Sequence, residues 1–262
     1  MSLKDIGKCT PDKFLLAKEF RYTSIVKDIT PRDISSTSLL ASRTFHLHCP
    51  PITVGQYIED LISSRVDRGF TERPIIVWEP SPSSCNKSNL ESCLKAAKLV
   101  DVFSPNHLEI GAFFGITDPN DLDEVTLERL ADSVRLSGIG VDGSGAIVIR
   151  AGHLGCFLAS NAVSGRWLPA FYDKKPPEDE HGHQLVVDPT GAGNACLGGM
   201  AIGLARSKDI VEAAIYGMVA ASFAIEQIGP PRLEFGQCGE EMWNGCDVQE
   251  RLRQYQSRVL GK

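Results

Sequence analysis

Apolar positions along the chain fall into short solid runs separated by stripes of helical period. Residues 43–49 read as a short strand, and 54–68 as a helix with Tyr57, Ile58, Leu61 and Ile62 on one face. Residues 73–78 read as a strand, 87–100 as a helix and 101–104 as another strand. A short helix at 106–114 and a longer one over 121–137 lead to a strand at 146–150. Gly152, Gly155 and Gly165 then punctuate strands at 156–160 and 166–172, which read as an antiparallel meander. After a charged, Pro-rich loop at 173–180, a strand at 184–187 is expected to run into a small-residue helix ending near 205. Helices at 209–227 and 247–259 close the pattern. Upstream, 1–29 has mixed charge and little periodicity and is expected to be poorly ordered. Thr30-Pro31-Arg32-Asp33 then offers an N-cap, a Pro at the first helical position and an acid in the first turn, so one domain is expected over 30–262. Buried strands alternating with amphipathic helices predict an α/β fold with a mainly parallel sheet covered on both sides.

Composition sharpens this picture. With 262 residues, 24 Gly, 15 Pro and 42% hydrophobic residues the chain suits one large α/β domain or two small ones, not a fibrous or disordered chain. The net charge of −6 comes from scattered acids, which argues against broad nucleic-acid or anionic-membrane binding. Uncharged stretches such as 195–205 fall short of the ~20 residues of a membrane span, and the first residues lack an apolar signal core. None of the eight Cys forms a C-x-x-C pair and several lie in apolar runs, so a cytoplasmic or nuclear protein with reduced thiols is expected.

The segment that carries chemistry is Gly191-Ala192-Gly193, placed between a strand and a helix. Free backbone N–H groups and the positive end of the helix dipole there favour a phosphate or a developing oxyanion, and glycine lets the anion approach the backbone. The residues alone leave open a plain strand-to-helix turn. A P-loop is absent, because neither Gly7-Lys8 nor Gly261-Lys262 has its context, and Cys196 stands where a dinucleotide fingerprint needs its third small residue.

Val187 to Asn194, V-D-P-T-G-A-G-N, resembles the D-T-x-G-A-G-D signature of the PfkB, or ribokinase-like, carbohydrate kinases. Asn106-His107-Leu108-Glu109 is similar to that family's N-x-x-E, Arg150 to Gly155 to its T-x-G-x-x-G nucleotide segment, and the helix over 211–228 ending at Gly229 to its alanine-rich helix beside the adenine. Within the family, the Asn-ended turn is most similar to a fungal branch. The resemblance implies a three-layer α/β/α sandwich and an ATP-dependent phosphotransferase. It implies an anion hole at Gly191, Ala192 and Gly193, with Thr190 beside it. It also implies Asn106 and Glu109 organising Mg2+ and phosphate, Glu109 acting on the metal indirectly, with Arg150, Gly152 and Gly155 at the nucleotide. The implied partners are a nucleotide and a small-molecule hydroxyl acceptor of the sugar or nucleoside class.

Three departures bear on activity. The family's last Asp, its general base, is Asn194 here, and an amide cannot take that proton; losing a positioned base costs about 100-fold to 10,000-fold. Only about 40 residues precede the first matched strand, so the family's small β lid is expected to be incomplete or absent. Arg150 is bulkier and more charged than the Thr it replaces. Weak or absent kinase activity is therefore expected, and the other reading is a pseudoenzyme acting through protein partners as a regulatory or scaffolding module.

Other residues carry two readings each. Asp188 could hold a magnesium-bound water, act as a makeshift base, or cap the following helix. His46 and His48 alternate on one strand and read as metal ligands or as ordinary strand histidines. His181 and His183 read as a surrogate base or as a solvated loop. Without the family resemblance Glu109 reads as a solvent-facing helix residue, and Trp78 reads as a crevice wall or as core.

Overall fold

The computed structural model describes residues 29–172, 185–236 and 239–261, so Cys9, His181, His183, Gln184 and Cys238 lie outside the described residues, as does most of the segments at 1–29 and 173–180. The Asp33 carboxylate accepts from both the backbone N–H and the hydroxyl of Thr30 at 2.8 Å, as the capping pattern predicts. The helix it starts, Pro31–Ile34, is a short 3-10 turn.

A parallel run follows: β1 (Thr44–Cys49), α1 (Val54–Asp67), β2 (Ile75–Pro80), α2 (Leu90–Ala97), β3 (Val102–Phe103), α3 (His107–Phe113), α4 (Glu124–Ser137) and β4 (Ala146–Arg150). Strands β1 to β4 pair in parallel, and β5 (Cys156–Ser160) and β6 (Arg166–Leu168) continue the sheet antiparallel. The order across the sheet is the order along the chain. Each parallel step moves one strand in the same direction, and right-handed crossovers then put every connecting helix on one face. That face buries Ile76, Trp78, Phe103, Ile147 and Ile149 against α1 to α4. The alternate strand residues Val77, Val102, Val148 and Leu158 are buried on the other face, which is covered by α5 (Ala192–Ser207), α6 (Ile210–Ala224) and α7 (Val248–Leu260). Burial on both faces is why these strands read as solid apolar runs. The result is the expected α/β/α sandwich.

Helices α5 and α6 approach backbone to backbone. A Cβ on Gly199 would lie 2.6 Å from the Tyr216 carbonyl oxygen, one on Gly203 2.6 Å from the Ala213 Cα, and one on Gly217 2.7 Å from the Cys196 oxygen. No described helix is long and apolar enough to cross a membrane.

Two expectations change. The strand at 166–172 stops at Leu168. The strand expected at 184–187 does not form over its described part: the Val187 and Asp188 amides both donate to the Ile225 oxygen at the end of α6, at 2.7 and 3.1 Å. An apolar run matched a buried strand, but its donors are satisfied by a helix terminus. A second sheet of β7 (Leu233–Phe235), β8 (Glu241–Trp243) and β9 (Cys246–Asp247) went unread, because strands of two or three residues show no period.

Candidate phosphate site at the sheet's carboxyl edge

Period-two alternation carries the pattern of Val77 and Val148 onward to Glu79 at the end of β2 and Arg150 at the end of β4, both on the face covered by α5. Glu79 and Glu109 are buried, at 8% and 5% exposure, so Glu109 is not the solvent-facing residue that its sequence context alone suggests. Arg150 Nη2 donates to Glu79 Oε1 at 2.6 Å and to the Ser104 oxygen at 3.1 Å, and stands 3.6 Å from Glu109 Oε2. His46 Nε2 lies 3.0 Å from Glu79 Oε2. Asn106 and Glu109 form a reciprocal capping box on α3: Asn106 Oδ1 accepts from the Glu109 amide at 2.8 Å and Glu109 Oε2 from the Asn106 amide at 2.7 Å.

Two buried carboxylates thus share one guanidinium, and the closer wins. Burial pushes Glu79 up, but the His46 hydrogen bond and the Arg150 and histidine charges outweigh it and hold the carboxyl below its ordinary value. Burial drives Glu109 up to about 7; Arg150 and the Asn106 amide oppose this, and the Glu79 charge adds to it. Neighbouring carboxyls with opposite shifts mark a candidate functional site.

The glycine turn closes over this cluster. Gly191, the N-cap of α5, has φ +85°, a left-handed conformation that suits glycine. A Cβ on Gly193 would lie 2.5 Å from Arg150 Nη1, so only glycine lets the first turn of α5 rest on the guanidinium. The Ala192 amide donates to the Pro189 oxygen at 3.1 Å, which engages one of the three donors expected in the anion hole, whereas the Gly193 and Asn194 amides have no partner among the described residues. Asp188 Oδ1 accepts from the Thr190 amide at 2.9 Å, so its carboxylate shapes the turn instead of capping α5. Thr190, Gly191 and Asn194 are exposed.

Gly152, with φ +58°, is exposed, with open space where a Cβ would stand, while Gly155 is buried, and a Cβ there would lie 2.0 Å from the Leu168 oxygen. Contact with β6 alone therefore requires glycine at 155. Trp78 is core: fully buried, stacked on Phe103 at 4.7 Å, with Nε1 donating to the Cys49 oxygen at 3.0 Å. His46 serves Glu79 and His48 is exposed. Among the described residues no three His, Cys, Asp or Glu side chains group to hold a metal.

His46, read from the sequence as a metal ligand or an ordinary strand histidine, instead partners Glu79, and the pairing of Glu79 with Arg150 is what sequence reasoning missed, although a carboxylate ending a buried parallel strand was a readable signal. The cluster fits an anionic group, since two amides with no partner among the described residues stand beside a guanidinium whose buried Nε also has none among them. A magnesium ion fits only as a companion of that anion, with Glu109 acting at a remove.

A family profile described as pfkB family carbohydrate kinase matches residues 73–232. An uncharacterized protein of Schizosaccharomyces pombe is 33% identical over 243 residues, covering 90% of this chain and 65% of its own length. Protein MAK32 of Saccharomyces cerevisiae is 30% identical over 251 residues, 92% of this chain and 65% of its own length. The chain thus spans 65% of the length of both relatives, and the fungal kinship expected from the Asn-ended turn is borne out. Arabidopsis thaliana ribokinase, solved with ribose and ATP, shares the fold with a TM-score of 0.52 at 15% identity, over 83% of this chain and 57% of that one.

Proposed function

The chain belongs to the pfkB family of carbohydrate kinases, and from that premise we propose that it binds the polyphosphate of ATP, with Mg2+, at the amino end of α5, and transfers phosphate to a hydroxyl slowly or not at all. The observation that carries this reading is the seating of Gly193 on Arg150, which sets the Gly193 and Asn194 amides, without a partner among the described residues, beside a guanidinium. In it, the backbone of Gly191 and Gly193, joined by the Asn194 amide, forms the anion hole, Ala192 lies between them with its own amide held by Pro189, and Thr190 borders it. Arg150 Nη1 meets the anion while Nη2 stays on Glu79, and Gly152 offers open backbone toward the nucleotide. Asn106 and Glu109 face the metal side through the cap of α3. Bound MgATP would supply the transferable phosphoryl group and neutralise its charge. The chain's own residues bind and orient it and exclude water.

At Asn194 the exposed amide accepts no proton from an acceptor hydroxyl, which supports slow turnover. Asp188 is tied to Thr190 and is a poor substitute.

A second reading, a pseudokinase working through protein partners in the cytoplasm, is supported by one observation: Arg150 Nη2 is already held by Glu79 at 2.6 Å, so the chain's own carboxylate takes up part of the guanidinium. Calorimetric titration with MgATP of the wild type and of Gly193→Trp tests the site. Micromolar binding abolished by the substitution is expected, and equal binding by both sinks the assignment. Asn194→Asp, assayed for ATP consumption against a panel of sugars and nucleosides, separates the readings. A gain of about 100-fold or more fits a kinase lacking its base, whereas tight binding with no gain fits the pseudokinase.

A further inference from the structure

The glycine turn is held to the body from behind, by the end of α6. Before Asp188 and Thr190 form their turn, the backbone contacts are the Val187 and Asp188 amides donating to the Ile225 oxygen at 2.7 and 3.1 Å. The next residue, Glu226, gathers donors from three separate parts of the chain. Arg251 Nη1 on α7 donates to its Oε1 at 2.6 Å, the Tyr172 hydroxyl after β6 donates to the same oxygen, and Asn244 Nδ2 between β8 and β9 donates to Oε2 at 2.6 Å.

The knot is buried and braced. Arg251 is 8% exposed, its guanidinium lies 3.8 Å over the Phe223 ring, and its Nη1 also donates to Ser222 Oγ at 3.2 Å. Asn244 takes a left-handed φ of +51° and reaches the Phe223 oxygen at 3.0 Å and Gln227 Oε1 at 2.7 Å. Gln227 Nε2 donates to the Phe223 oxygen at 3.0 Å and the Ala224 oxygen at 3.2 Å. A helix end ordinarily leaves its last carbonyls to water. Here the Phe223 and Ala224 carbonyls just before Ile225 are held by the Asn244 and Gln227 side chains, and the Glu226 side chain just after it is held by the knot, so the Ile225 oxygen offers a fixed double acceptor to the turn.

We propose that Glu226 is a positioning residue for the glycine turn: by knotting α7, β8–β9 and Tyr172 to the end of α6 it fixes the Ile225 carbonyl from which residues 187–193 hang. Removing the carboxylate leaves the Arg251 guanidinium uncompensated among aromatic rings, and it is expected to pull away from α6. The Ile225 carbonyl then loses its fixed direction and the amides of Gly193 and Asn194 lose their alignment. The consequence for anion affinity rests on the proposed phosphate site; the consequence for the backbone does not.

Amide hydrogen exchange on the full chain separates the two. In Glu226→Ala, and more mildly in Tyr172→Phe, protection at Val187 and Asp188 is expected to fall about tenfold or more, while Ile147 and Ile149 on β4 keep theirs. Inorganic tripolyphosphate, titrated calorimetrically, is expected to bind the variants about tenfold more weakly than the wild type. Unchanged protection at Val187 and Asp188 in both variants overturns the inference, as does a fall that β4 shares equally. Tripolyphosphate binding neither wild type nor variants overturns the phosphate site and leaves the exchange result to decide the positioning.

Discussion

Gly193 and Glu109 show how much single positions decide. An alanine at 193 puts a methyl 2.5 Å from Arg150 Nη1, the far end of a long side chain, so Nη1 must swing aside while Nη2 keeps its bond to Glu79. Gly193→Ala is therefore expected to keep its unfolding temperature within a few degrees yet weaken tripolyphosphate binding about tenfold, as read by calorimetry. Glu109 makes a prediction about acidity. Its folded value of about 7 lies above the ordinary 4.5, so the folded chain holds a proton that the unfolded chain has released across that window. Stability from this group is full below about 4.5 and is lost as pH rises through about 7. Urea midpoints of the wild type should decline over that range more steeply than those of Glu109→Gln. Glu79 is shifted the other way, and its contribution falls away only below its ordinary value. The glycine turn was marked by its own residues as an anion site or a plain turn, whereas Asn106 and Glu109 were marked only by the family resemblance, since local sequence alone makes Glu109 a solvent-facing helix residue. The pairing of His46 with Glu79 was not legible, since it joins β1 and β2 across the sheet.

At the scale of elements, the contact between α5 and α6 sets apart two neighbouring glycines. A Cβ on Gly199 would meet the Tyr216 oxygen at 2.6 Å and Ala220 Cβ at 2.7 Å, while one on Gly198 would meet nothing within 4 Å. Gly199→Ala is expected to cost about 1–3 kcal/mol through overpacking against backbone. Gly198→Ala is expected to gain about 0.5–1 kcal/mol by restricting the unfolded chain. Chemical denaturation of the pair reads both signs. Helices with strong periodicity and Asp or Asn caps, such as α4 behind Asp123 and α7 behind Asp247, matched their sequence patterns to within a few residues. Residues 185–187 did not: their apolar run suggested a buried strand, yet Val187 is exposed and its amide is taken by the end of α6.

For the whole molecule, the thiols report integrity. Cys93, Cys156 and Cys196 are buried, and burial pushes each above its ordinary value, Cys196 to about 11. A thiol reagent at neutral pH is expected to leave all three unmodified in the native protein and to label them at the rate of unfolding, with early labelling of Cys196 betraying a loosened α5. The strand order gives the molecule a history as well. Because β1 to β6 lie in the sheet in the order they are synthesised, each strand leaving the ribosome finds its partner at the growing edge, and no paired strands must part to admit a later one. The face under α1 to α4 is therefore sealed as it is made, while Val77, Val102, Val148 and Leu158 wait bare until α5 and α6 emerge. Translation halted before residue 192 leaves a half-clothed sheet, so the nascent chain makes its greatest demand on chaperones between the release of β6 and that of α5.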